Sequence, residues 1–162
     1  MALTQRRGRA PIARYGAVLA LVAAVTLASN SASAGLGERF DSVAKDHLAL
    51  HGTTLAVTTH PGYSLHETTT ADGATVRQFV SPSGTVFAVS WAGRTQPDLQ
   101  VLLAKHYGQY LEATKQPHAS HKVLNVTSPD VVINVTRHVR GFTGSAHVPA
   151  LVPPTLSIAD LR

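Results

Sequence analysis

The sequence predicts an α+β domain: a mainly antiparallel sheet of four to six strands, one main helix packed on a face of it, and a short N-terminal helix. Three observations lead there. Alternating segments separated by Ala71-Asp72-Gly73 and Ser81-Pro82-Ser83-Gly84 fill the centre of the chain. One long apolar stripe at helical spacing follows Thr95-Gln96-Pro97-Asp98. Residues 1–34 read as an export signal, and removing them from 162 residues leaves 128, a length that suits one domain.

The signal rests on Arg6, Arg7, Arg9 and Arg14, on the uncharged apolar run Ala17 to Ala28, and on Ala32-Ser33-Ala34. That is a basic n-region, an h-region and a small-x-small cleavage pattern, so cleavage is expected between Ala34 and Gly35. The run is shorter than the about 20 apolar residues of a membrane span. The expected product is a single domain, 35–162, in the periplasm or the medium, with no stable membrane anchor after cleavage. Arg6-Arg7 leaves the general and the twin-arginine export routes both open.

Cleavage also changes the charge. Four of the fourteen basic residues leave with the signal, so ten face nine acids, a net of +1. The high isoelectric point belongs to the leader. No basic cluster with interleaved aromatics remains, which excludes nucleic acid as an expected partner. There is no cysteine, hence no disulfide, no lipid-modified cysteine at the cleavage point and no thiol nucleophile.

Phe40, Val43, Ala44, His47 and Leu48 recur at helical spacing, which predicts a helix from about Glu38 to His51 with Gly52 as its stop. A strand is expected over Thr54 to Thr59. Strands at Tyr63 to Thr70, Thr75 to Val80 and Thr85 to Trp91 follow from alternation and the two turns. In the last, Phe87, Val89 and Trp91 are expected on one face and Ala88 and Ser90 on the other. The main helix, Asp98 to Ala113, carries Leu99, Leu102, Leu103, Tyr107, Tyr110 and Leu111 on its stripe, and Gly108 within it suggests a kink or a close approach to the sheet. Lys115 to Ser120 reads as a linker. Strands at about His121 to Thr127 and Val131 to Arg140 complete the sheet, the latter with Val131, Ile133, Val135 and Val139 on one side. From Gly141 to Arg162, Pro149, Pro153 and Pro154 predict an extended segment crossing the surface.

The runs Tyr63-Ser-Leu-His-Glu67, Arg77-Gln-Phe-Val-Ser-Pro-Ser-Gly84, Val86-Phe-Ala-Val-Ser-Trp91-Ala-Gly93 and Pro97-Asp-Leu99, with Gly144-Ser-Ala146 and Val148-Pro149 in the tail, resemble an uncharacterised exported bacterial family, domain of unknown function 2844. Gln78 stands where that family usually has an acid, and Tyr107-Gly108 reverses its more common order. The resemblance implies a compartment and an architecture and brings no chemistry with it.

All nine histidines lie after the leader. His47 and His51, four apart on the expected helix, have the spacing of a metal pair but share a stripe with Phe40 and Leu48, as core histidines do. His118 and His121 sit beside the linker, and His106 lies within an apolar stripe. His66-Glu67 opens like a zinc-protease motif, but Thr68-Thr69-Thr70 supplies no second histidine, and a strand would set the two side chains on opposite faces. Ser42-Val43-Ala44-Lys45 matches Ser-x-x-Lys without the motifs that accompany it in penicillin-recognising enzymes. No catalytic residue, cofactor or metal ligand is assigned. A partner or ligand surface is expected around His66, Glu67, Arg77 and Trp91, with Trp91 either an exposed anchor or a core aromatic.

These readings point to a non-catalytic periplasmic or secreted module that binds an envelope protein or another envelope component. A histidine-based metal-binding protein is the first alternative, and a small envelope enzyme using His66, Glu67 and Arg77 is the second.

Overall fold

The computed structural model describes residues 35–39, 43–116, 122–154 and 156–158. Its contacts divide the chain into Met1–Asn30 and Ser31–Arg162, and every described residue belongs to the second unit. The expected leader, residues 117–120 of the expected linker with His118, and His121 beside it lie outside the described residues, whereas Lys115, expected to open the linker, is helical.

Among the described residues seven antiparallel strands form one sheet, more than the four to six expected. They are β1 (Gly52–His60), β2 (Tyr63–Thr70), β3 (Thr75–Val80), β4 (Val86–Gly93), β5 (Val123–Thr127), β6 (Val132–His138) and β7 (Gly141–His147), in the order β1-β2-β3-β4-β7-β6-β5. The first four make a meander. The chain then passes through the helical region to the far edge and returns through β5, β6 and β7 to meet β4.

The added strand is β7, within the stretch expected to cross the surface as an extended tail. It pairs with both β4 and β6. Gly-Phe-Thr-Gly-Ser-Ala-His carries few strand-forming residues, because its place demands small ones. A Cβ on Gly141 would strike the backbone of Gly93, and one on Gly144 would strike the indole of Trp91. Only beyond β7 do the prolines rule, and Pro149–Leu151 form a 3-10 turn. Val139 does not join its predicted face, since β6 ends at His138 and Val139 is 96% exposed at the hairpin tip.

Helix α1 (Val43–Ala49) is shorter than expected at both ends. Arg39 bridges to Thr85, and His51, next to the glycine, takes φ +51 after the helix has ended at Ala49. Gly52 instead opens β1, its missing side chain making room for the His47 ring and Thr68. The main helix is broken into α2 (Leu99–Leu103), a 3-10 turn (Ala104–His106) and α3 (Tyr107–Lys115). Its N-cap is Asp98, whose Oδ1 accepts from the backbone N–H groups of Gln100 at 2.8 Å and Val101 at 3.4 Å. The break falls at Ala104, with φ +46, and not at Gly108, around which a Cβ would meet nothing.

The apolar core lies between the sheet and these helices. Leu99, Leu102 and Leu103 pack with Val76, Val89, Trp91, Ile133, Val135 and Ala146. Leu36 is fully buried with them, its N–H donating to the Leu102 carbonyl at 2.9 Å. Beneath α1 the core is polar: buried Gln78 donates to Asp46 at 2.8 Å. A second, smaller cluster of Phe79, Phe87 and Ala88 occupies the opposite face, where Val152 and Leu156 pack over it. Phe87 was expected beside Val89. Pairing jumps from Phe79↔Ala88 to Val80↔Val86, so Phe87 is the extra residue of a bulge and turns to the other side. Among the described residues, no helix is long and apolar enough to cross a membrane.

Candidate functional site

The face on which no described helix packs, called the helix-free face below, is the place to look, because its polar side chains are held in register by a sheet whose other face supplies the core. Direct cross-strand partners share a face. Following them from β1 to β5 gives one row: Ala56, Glu67, Arg77, Ser90, Ser145, Asn134, Asn125. The next row, two residues along each strand, is Thr54, Thr69, Thr75, Ala92, Thr143, Thr136, Val123. Seven strands thus present hydroxyl, amide and ion-pair groups side by side.

The rows are not flat. The small residues of β7 leave a cleft of about 450 Å³, lined by Arg77, Ser90, Asn134, Thr136, Thr143 and Ser145 among others. Arg77 forms one wall. Its Nε donates to Glu67 Oε2 at 2.7 Å, and both side chains remain more than a third exposed. A surface pair of this kind adds little to stability, typically about 0–1 kcal/mol. Its effect is to fix the plane of the guanidinium beside the cleft. A guanidinium held through Nε can still offer its terminal nitrogens to a ligand oxygen. Ser90, Ser145, Thr136, Thr143 and Asn134 add neutral donors and acceptors, so the cleft suits a ligand rich in hydroxyl, carbonyl or carboxylate oxygen. The opposite end of this face is closed: Val152 and Leu156 cover the Phe79–Phe87–Ala88 cluster. His147, directly across from Ala88, is buried there, and desolvation holds its imidazole below the ordinary histidine pKa.

The four residues expected to form one surface are divided by the sheet. Glu67 and Arg77 meet on the open face. His66 and Trp91 are packed into the helix-covered side, 3% exposed each, although Trp91 also lines the cleft beside Ser90, with Arg77 across it. His66 lies 3.2 Å from Ser64 Oγ through Nε2, and burial pushes its pKa down. Trp91 is a core aromatic, and its indole nitrogen is buried without a hydrogen-bond partner among the described residues. His66, Glu67 and Arg77 therefore do not converge. At the expected cleavage point, Ala34 lies outside the described residues and Gly35 packs against Val101 and Ala104, where no side chain would fit.

His51 follows α1 and does not share a helical face with His47. Among the described residues, no three histidine, aspartate or glutamate side chains are placed to hold a metal ion. Ser145, Thr143, Asn134 and Thr136 escaped sequence reasoning. The signal for two of them was present, since Asn134 and Thr136 alternate with Ile133 and Val135. The other two required β7 to be recognised as a strand.

No curated protein and no solved structure gives a significant match to the chain. Residues 32–161 match the model of a family described as "Protein of unknown function (DUF2844)", and the chain belongs to that family.

Proposed function

We propose that this protein is an exported, non-catalytic binding module acting in the periplasm or the medium, and that its helix-free sheet face holds an envelope protein or another envelope component. One observation carries the reading: the unbroken polar row from Glu67 to Asn125, with Arg77 braced at the cleft and, among the described residues, no helix over it. Rigid strands present these groups with little conformational entropy left to lose, a favourable basis for recognition. The groups are hydrogen-bonding and orienting ones. A nucleophile with an adjacent base, the usual signature of covalent catalysis, is not what they form.

Chemical cross-linking in the native envelope tests the proposal, comparing the wild-type chain with an Arg77→Ala, Asn134→Ala variant whose fold is checked by circular dichroism. Both side chains are at least partly exposed, so the fold should survive. The expected result is a cross-linked species formed by the wild type and lost in the folded variant. A species retained by the variant, or none with either chain, would overturn the reading.

A further inference from the structure

Strand β1 is an unusual edge. Among the described residues it pairs with β2 on one side only, and every residue from Thr53 to Thr59 is exposed. Natural sheets protect such edges with charge, proline or a very short strand. Here nine residues, Gly-Thr-Thr-Leu-Ala-Val-Thr-Thr-His, contain no Lys, Arg, Asp, Glu or Pro. The irregularity in its pairing lies at Gly52/Thr54, leaving Thr54 to His60 in regular register. Leu55 and Val57 are 40% and 57% exposed. The other edge, β5, has only five residues.

The order of residues identifies the occupant. Thr53-Thr54-Leu55-Ala56-Val57-Thr58-Thr59 reads alike in both directions: threonine pairs outside, branched aliphatic residues inside, alanine at the centre. A two-fold interface requires that if one position meets another, the reverse also holds. A strand paired antiparallel with its own copy about Ala56 satisfies this. Leu55 falls opposite the partner's Val57, and Thr54 opposite the partner's Thr58. Apolar meets apolar and hydroxyl meets hydroxyl, both favourable cross-strand pairs. No charge is buried and none repels.

We infer that the protein is a homodimer joined edge to edge through β1, its two sheets forming one continuous fourteen-stranded sheet from two sets of seven. An axis normal to the sheet keeps the two helix-free faces on the same side. The row through Ala56, Glu67 and Arg77 then continues from one copy into the next, and both clefts face one way. The inference does not depend on what the cleft binds.

Sedimentation velocity of the full chain, expressed in a bacterial host and purified in the form the host leaves it, should give the mass of two chains at rising concentration. Val57→Lys places an ammonium at two symmetric points of the seam and should return the mass to one chain with unchanged circular dichroism. A single-chain mass throughout, or a dimer that survives this substitution, would overturn the inference. Should the lysine variant fold poorly, cysteine pairing decides independently, because the chain has no cysteine of its own. Thr54→Cys chains mixed with Thr58→Cys chains should oxidise to mixed dimers faster than either oxidises alone. Equal rates would exclude this register.

Discussion

The indole of Trp91 occupies the space in which Gly144 would carry a side chain. The two face each other across the β4–β7 pairing, where the two halves of the sheet meet. Trp91 is 3% exposed, so the indole has no route of escape toward solvent. Gly144→Ala should therefore cost about 1–3 kcal/mol, the usual range for overpacking a filled core. Urea denaturation measures it, and an unchanged midpoint would mean that the indole moves aside freely.

The same substitution should have the opposite sign at Gly108. This residue lies in α3, and a Cβ there would meet nothing. Gly108→Ala gains helix propensity without a clash and should stabilise the protein by up to about 1 kcal/mol. Thermal melts of the two alanine variants side by side should bracket the wild type.

Acid should weaken the fold through three buried histidines. His66 and His147 are held below the ordinary pKa by desolvation. His106 is lowered by desolvation and then by Lys105, partly opposed by Asp130 and Glu38. In each case the unfolded chain binds the proton more readily than the folded one. Their contribution to stability is complete above about pH 6.5, the unfolded value, and is lost as pH falls through the lower folded values. Melting temperature should hold steady from pH 8 to about 6.5 and drop below that. His147→Asn should reduce the slope in this window, and an unaltered slope would show that His147 does not contribute.

Gln78 and Asp46 form a buried polar pair, 1% and 2% exposed, joined at 2.8 Å. Gln78→Leu removes a hydrogen bond to an acid that cannot reach water. The expected loss is about 1–3 kcal/mol, read from chemical denaturation. Asp46→Asn, which keeps a hydrogen-bonding group in the same shape, should cost less than this.

Local chemistry made much of the fold legible. Tyr63 to Thr70 and Thr75 to Val80 alternate between well-marked turns, and the strands have those same limits. Where tertiary contact overrode local preference, the reading failed. β7 has the composition of a loop because the Trp91 indole leaves room for nothing larger than glycine at Gly144, and the Gly93 backbone for nothing larger at Gly141. The main helix breaks at Ala104, a good helix former, and its most obvious suspect, Gly108, lies in an intact turn. Phe87 changed sides through a bulge, which shifts one residue and leaves the alternation of its neighbours untouched. The site followed the same division. Alternation alone sets Glu67 and Arg77 apart from their inward-facing neighbours, but their meeting with Ser145 and Asn134 depends on a strand the sequence does not announce.

The strand order has a consequence for synthesis. The ribosome delivers β1 to β4 first, as a meander of near neighbours that can pair as they emerge. The partner of β4 comes last, after both helices, β5 and β6. Until then β4, the most apolar strand, presents a bare edge and an uncovered Trp91, and the chain is most open to aggregation. Closing that seam is the longest-range step in building the sheet. A substitution at Gly144 should therefore lower the yield of native protein as well as its stability.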